Sequence, residues 1–287
     1  MLLQFGSVPT VVISSAKAAE QIMKTLDVEF CSRVQLAGRK QLSYNYTDMA
    51  IAPYGDYWRE VRKICVLELY SRKRVQSVMV ARAEEIDILI DSISSSNTTP
   101  VNVFEKLTSF GHRAICRVAF GSTTSQSGNR FDSGRLSKLF PEIAVLTSLS
   151  VSDFFPKVSW IIDRITGIHG ITEKCFHDLD NFLQQIIDEH DKERPKHEHE
   201  DIIDVLLKLK KAQTSTIRLT NNHIKAIVVN VYLGGVETAG SLMTWAMAEL
   251  AKNPKAMKKV QEEIRSHVGS KGNVEESDLD NFHYLKW

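Results

Sequence analysis

Cysteine is scarce in this sequence and badly spaced for pairing. Cys31, Cys65, Cys116 and Cys175 are the only four in 287 residues, and no two form a CxxC pair. A disulfide framework and a structural zinc site are therefore excluded as organising devices, and a reducing compartment fits best. An excess of either charge is also lacking. Lys+Arg number 36 and Asp+Glu 35, interspersed along the chain, for a formal net charge of +1. Nothing in that pattern suggests a nucleic-acid-binding surface. Internal repeats and inter-domain linkers are missing, so residues 1–287 read as a single domain. With 43% hydrophobic residues there is material for one sizeable core. The N-terminus has the pattern of neither a signal peptide nor a hydrophobic anchor, and the expectation is a soluble or peripheral chain.

Proline is absent between Pro195 and Pro254, and there the chain holds its longest apolar run. From Ile224 to Ala251 nearly every side chain is apolar or small. A helix of some thirty residues spans roughly 45 Å, enough to cross a domain. Its centre breaks the pattern with Gly234, Gly235, Val236, Glu237 and Thr238. A mid-helix glycine costs about 1 kcal/mol relative to alanine, and a carboxylate among apolar residues is costly unless paired, hydrated or protonated. A sequence that accepts both at one point is using that point. Three readings stay open. The run is a core helix, or a membrane span with Gly235 and Ala239 as a small-residue face, interrupted by Asn230, Glu237 and Glu249. In the third reading the glycines make room for a flat cofactor or small ligand beside an acid–alcohol pair.

The remaining elements follow in order. Leu2–Phe5 and Thr10–Ile13 predict a hairpin around Gly6-Ser7-Val8-Pro9. Ser14 or Ser15 caps a helix from Ala16 to about Thr25. Residues 30–53 read as a long loop with one short helix. Asp56 is placed to cap a helix to about Leu69, on which Trp58 and Arg62 share a face. The pair is either an arginine stacked on an indole or two nitrogen donors aimed at an anion. Helices are predicted over Ser77–Ile93, Val101–Phe120, Lys138–Ser150, Ile171–Arg194 and Asp201–Lys211. Thr220 or Asn221 caps the central helix, and Asn253-Pro254 opens another to about His267. Glu275–Trp287 begins a further helical pattern. Phe154, Phe155, Trp160 and Ile161 form either core or a greasy surface near a membrane or ligand entrance. Ser122–Gly134 and the run holding His197-Glu198-His199 read as solvated loops.

Two of these segments carry a resemblance. Gly234-Gly235-Val236-Glu237-Thr238 looks like the central-helix motif of the cytochrome P-450 haem-thiolate monooxygenases. Ala52-Pro53-Tyr54-Gly55-Asp56-Tyr57-Trp58-Arg59-Glu60-Val61-Arg62-Lys63 resembles a segment of the plant microsomal members. Asp153-Phe154-Phe155-Pro156 and the FLQQIIDEH run are similar to plant members as well. The resemblance implies a mainly α, partial P-450 fold with a long central helix and an N-terminal β-hairpin, an incomplete catalytic domain. It implies haem as cofactor, with Trp58 and Arg62 holding a propionate and Gly234 and Gly235 letting the helix lie close over the macrocycle. Thr238 would supply a hydrogen bond on the oxygen side, and Glu237 would help deliver protons. It further implies one-oxygen insertion into a small lipophilic secondary metabolite, an NADPH-dependent reductase as electron donor, and the cytosolic face of the endoplasmic reticulum membrane. The family's ligating cysteine has no counterpart here. In Phe110–Cys116, Gly111 and Arg113 each lie one residue too far before Cys116, so this segment reads as a core helix with a satisfied His112. The 287-residue chain is therefore expected to be inactive alone. The competing class is a truncated, non-catalytic helical paralogue that binds lipophiles or partner proteins. The lineage also implies that Glu237 and Thr238 are sheltered and that Trp58 and Arg62 turn toward them.

Overall fold

Thr220 starts the central helix in the way a cap should. Its Oγ1 accepts the His223 amide at 3.4 Å, and His223 Nδ1 accepts the Thr220 amide at 3.2 Å. Two of the helix's otherwise unpartnered donors are thereby satisfied. The helix then runs without a break to Lys252.

The computed structural model describes residues 1–96, 99–121, 133–192, 200–213 and 215–285. His197-Glu198-His199 and most of Ser122–Gly134 lie outside them. Among the described residues, one hairpin precedes thirteen α-helices. Strands β1 (Leu2–Phe5) and β2 (Val8–Val11) pair antiparallel, Leu2 with Val11 and Phe5 with Val8. The early helices are α1 (Ala16–Glu20), α2 (Asp27–Phe30), α3 (Ala37–Leu42), α4 (Asp56–Ile64) and α5 (Arg72–Ser77). Then come α6 (Met79–Ser94), α7 (Val103–Phe120), α8 (Ser133–Leu146) and α9 (Ser159–Ile165). The last four are α10 (Ile168–Asp191), α11 (Ile202–Ala212), α12 (Asn221–Lys252) and α13 (Pro254–Val268). The fold is mainly α with a small N-terminal hairpin.

Several boundaries differ from the expected ones for local reasons. β2 starts at Val8 because Gly6, at φ +59°, lets a two-residue turn close the hairpin. Asp56 is the first residue of α4, not its cap, and its carboxylate pairs with Arg59. The expected helix to Leu69 continues as a π-helical turn from Cys65. The helix expected over Ser77–Ile93 starts at Met79, because Val78 breaks it from α5, which ends at Ser77. Asn253 flanks α13 but spends its Nδ2 on the Glu249 carbonyl at 2.8 Å. The tail forms only a 3-10 turn, Glu276–Asn281. Beyond it the Glu263 carboxylate accepts the amides of His283, Tyr284 and Leu285 at 2.7, 2.7 and 3.0 Å.

The core is built where α7, α10 and α11 pack on the first half of α12. Leu179, Ile186, Leu206, Ile224 and Ile227 are almost wholly buried there. The seam between α7 and α12 is closely packed. A Cβ on Gly111 would touch the Val236 backbone at 3.4 Å, one on Gly240 the Thr108 hydroxyl at 3.2 Å, and one on Gly235 the Ile115 Cδ1 at 2.5 Å. Small residues on both helices thus let two backbones approach. The small-residue face of α12 is Gly235 with Gly240; Ala239 is exposed. Across the same seam Tyr232 and His112 share a hydrogen bond, so His112 is the satisfied helix histidine expected.

Polar ties secure the periphery. Glu85, 2% exposed, accepts from Arg113 at 2.7 Å and Arg117 at 3.3 Å, fixing α6 to α7. His190 Nε2 meets Asp201 Oδ2 at 2.7 Å, and Asp201 Oδ1 accepts the Asp204 amide at 2.9 Å as the cap of α11. Gly121, at φ +76°, ends α7 where a Cβ would lie 2.8 Å from Asp201 Oδ2, the oxygen that meets His190.

Cys65, Cys116 and Cys175 are buried, and burial pushes their thiols up to about 12, 12 and 11. Cys31 is half-buried. In native protein one thiol, that of Cys31, is expected to react promptly with a disulfide reagent, and the other three only after denaturation. Four fast equivalents would contradict the packing. Glu85→Ala removes the buried carboxylate shared by two arginines, leaving Arg117 with Glu84 and Arg113 with the Ser109 hydroxyl, and should lower unfolding free energy by about 2 kcal/mol in denaturant titration. A loss under half that would mean the α6–α7 tie contributes little.

Candidate functional site

The stripe of α12 that bears the sequence motif starts at Asn230. Residues 230, 234, 237, 238, 241, 242 and 245 recur at helical spacing and lie on one side of the rod. The opposite side of that stretch, through Gly235, Val236 and Gly240, is taken by α7. On the motif side, Gly234, Glu237 and Thr238 are all exposed. Leu242 and Trp245, at 72% and 67%, extend the open surface toward the C-terminal end. The expectation that Glu237 and Thr238 are sheltered is therefore not met. The reason is geometric: packing partners cover the N-terminal half of α12 and one side of its C-terminal half, and no described residue covers the rest.

The two glycines divide between these sides. Gly234 faces open space, where an added Cβ would find no atom within 4 Å. Gly235, expected to lie over a cofactor, instead faces Ile115 in the α7 seam. Thr238 Oγ1 donates to the Gly234 carbonyl at 2.6 Å. That bond fixes the hydroxyl oxygen on the helix surface and leaves its lone pairs turned outward.

Trp58 and Arg62 share a face of α4, as their spacing predicts. The guanidinium lies over the indole, 5.2 Å from the ring centroid. The indole N–H, however, donates to the Met49 carbonyl at 2.9 Å. Of the two expected donors, the arginine alone has N–H groups to offer. It lines a cavity of about 470 Å³ together with Trp58, Met49, Cys31, Asp27 and a second cation, Arg33. No ion pair involves Arg33 or Arg62 among the described residues.

The two halves of the motif set are joined by residues 48–50. Asn230 Oδ1 accepts the Ala50 amide at 3.0 Å, and its Nδ2 donates to Asp48 Oδ2 at 3.0 Å. Asp48 is 1% exposed, and its other oxygen accepts the amides of Ile51 at 2.7 Å and Ala52 at 3.2 Å. Burial raises the Asp48 carboxyl above its ordinary range, while the bonds from Asn230, Ile51 and Ala52 pull the other way. Sequence reading treated Asn230 only as an interruption of a membrane span. A lone amide in an otherwise apolar run is the signal that it had a partner to find.

Taken together, the open side of α12 fits a flat group. There is room at Gly234, a hydroxyl and a carboxylate one turn further on, and a guanidinium tied to the same stripe about two turns back. Three of the four cysteines, Cys65, Cys116 and Cys175, are buried in the core away from it, and Cys31 lines the Arg62 cavity. His190, Asp201 and Asp204 cluster tightly enough to suggest a metal, but their contacts are those of a helix cap. The helix Asn221–Lys252 is long and apolar enough to cross a membrane by length and composition; here its first half is core.

Comparison with known proteins extends this geometry to the whole chain. Cytochrome P450 71B36 of Arabidopsis thaliana is 48% identical over 291 residues, covering all of this chain and 58% of its own length. The 2-methylbutanal oxime monooxygenase of Manihot esculenta is 42% identical, covering 99% of this chain and 56% of its own length. The chain thus spans somewhat more than half the length of these relatives. Among solved structures, a zebrafish cytochrome P450 with progesterone superposes with a TM-score of 0.78 at 19% identity, over 98% of this chain and 63% of that one. A second zebrafish structure, with abiraterone, gives 0.75 at 20%. At those identities the likeness concerns the fold. The sequence profile of the cytochrome P450 family matches residues 1–287 from end to end, and the chain belongs to that family, whose cofactor is haem and in which the Manihot relative is named as a monooxygenase.

Proposed function

We propose that this chain forms the oxygen-side wall and one acid-binding corner of a haem monooxygenase site acting on a small lipophilic substrate. The observation that supports it best is the shared stripe. Gly234, Glu237 and Thr238 lie on the side of α12 to which Asn230 ties residues 48–50, and through them Trp58 and Arg62. Haem, when bound, supplies the redox centre at which molecular oxygen is reduced with electrons from an NADPH-dependent reductase.

The chain's own residues do the rest. Gly234 keeps the helix surface flat, so a planar group can approach the backbone. Arg62, stacked on Trp58, offers paired N–H donors to a carboxylate. Thr238 Oγ1, already donating to Gly234, accepts a hydrogen bond from water or a reacting oxygen species and so holds a proton at the reaction site. Glu237 stands one residue earlier, in contact with solvent, and can relay protons from bulk water to that position. Gly235 has no part in cofactor contact and serves the α7 seam.

The surface around α9 suits a lipophilic substrate and a peripheral position on the cytosolic face of the endoplasmic reticulum. Trp160 is 64% exposed and Ile165 81%, beside exposed Phe155 and Val158. Phe154 turns the other way: its carbonyl accepts the Ser7 amide at 2.8 Å and its ring packs on Phe5. A non-catalytic lipophile- or partner-binding role draws on the exposed Leu242, Trp245 and Met247 of α12.

Two measurements test the proposal. With haemin supplied, the reduced, carbon-monoxide-bound chain should show no thiolate-type Soret band, because Cys65, Cys116 and Cys175 are core residues and Cys31 belongs to the Arg62 cavity and not to the motif stripe of α12. A clear band of that type would show that a thiolate reaches the iron, from Cys31 or from a cysteine released from the core. In haemin titration, Arg62→Ala should weaken binding by about tenfold, the worth of a charge-assisted hydrogen bond. The haem dimethyl ester, lacking carboxylates, should bind both proteins alike. Equal haemin affinity in the two proteins would remove Arg62 from the site.

A further inference from the structure

The cofactor-facing residues come from two places that share no direct bond. Trp58 and Arg62 stand on α4; Gly234, Glu237 and Thr238 stand on α12. What holds one against the other is the segment Asp48-Met49-Ala50. It is bound to Asn230 at both of its ends and presents the Met49 carbonyl between them to the Trp58 indole at 2.9 Å. The amide of Asn230 is the one group on the motif stripe whose donor and acceptor are both engaged by this segment. An apolar residue can make neither bond, whereas a carboxamide makes both from two separate atoms of one planar group. The loop leading in is strained. Tyr44, Asn45 and Tyr46 have φ of 51°, 66° and 59° in succession, a left-handed run that non-glycine residues rarely adopt. Such a loop needs an anchor at its far end, and Asp48, buried and bonded to Asn230, Ile51 and Ala52, is that anchor.

We infer that Asn230 and Asp48 are positioning residues that set the acid-binding Arg62 at its distance from the Glu237–Thr238 pair. The inference rests on the reading of Arg62 given above. Neither residue touches the cofactor. Asn230 acts through Ala50 and Asp48, then through Met49 and Trp58, on the guanidinium stacked above the indole. Loss of the amide should leave the pocket apolar and open but let Arg62 drift from the position where it meets a carboxylate.

The test compares haemin with its dimethyl ester on the intact 287-residue chain. The ratio of the two dissociation constants isolates the carboxylate contact, since a general loosening of the fold weakens both ligands together. Wild type should prefer haemin by about tenfold. Asn230→Leu, which removes both bonds, should bring the ratio close to one while the helical circular dichroism is kept. Asn230→Asp keeps the size and the acceptor for Ala50, but it loses the donor and sets a second carboxyl against buried Asp48, so it should lower the ratio as well. If Asn230→Leu fails to fold, Asn230→Asp decides, and an unchanged ratio there overturns the inference. A wild-type preference that Arg62→Ala abolishes and Asn230→Leu leaves intact also overturns it, with the role of Arg62 standing. A wild-type ratio of one overturns the role of Arg62 and the positioning with it.

Discussion

The structure depends on how closely α7 and α12 approach. Gly240 against Thr108 and Gly111 against Val236 bring the two helix backbones into contact, and Gly235 leaves room for the Ile115 side chain. Protein interiors have little slack, so a tight seam on one side of a rod fixes what the other side presents. Here it fixes Gly234, Glu237 and Thr238 in one direction. Every later inference about chemistry rests on that orientation. It also explains how one sequence motif serves two purposes, since adjacent glycines on a helix point about 100° apart.

Much of the architecture could be read from residue order. The apolar run, Thr220 at its head and Pro254 after its end define α12 within a residue or two, because capping and proline effects are local. At α1 Ser15, one of two candidate caps, fills that role, and at α11 Asp201, expected inside the helix, is its cap. Local signals also misled in places. Asp56 looked like a cap, but Gly55 adopts the extended conformation and leaves Asp56 to pair with Arg59. The tail after Glu275 has helical spacing and forms only a 3-10 turn, after which the Glu263 carboxylate of α13 takes the amides of His283, Tyr284 and Leu285.

The site shows the same division. Trp58 and Arg62 were recognisable as a stacked pair from their spacing, and the acid and alcohol of α12 from their cost among apolar neighbours. What spacing could not show was where each hydrogen-bonding group would be spent. The indole N–H goes to Met49, 9 residues back in the chain. Asn230 binds residues 180 and 182 positions away. Long-range pairings of this kind leave no periodic trace, and the one hint was an amide with no business in a greasy helix. Exposure of Glu237 and Thr238 was likewise invisible in the sequence, because a helix apolar all round gives no sign of which side finds a partner.

The left-handed run at Tyr44, Asn45 and Tyr46 has a thermodynamic corollary. Each such residue holds conformational free energy of order 1 kcal/mol that the loop would release on springing free. The restraint that prevents it is the same set of bonds that aligns α4 with α12. A ligand gripping Arg62 therefore also holds the loop seated, and by linkage its binding energy adds to the stability of the whole helical assembly. In such a molecule, folding and cofactor capture are two readings of one equilibrium.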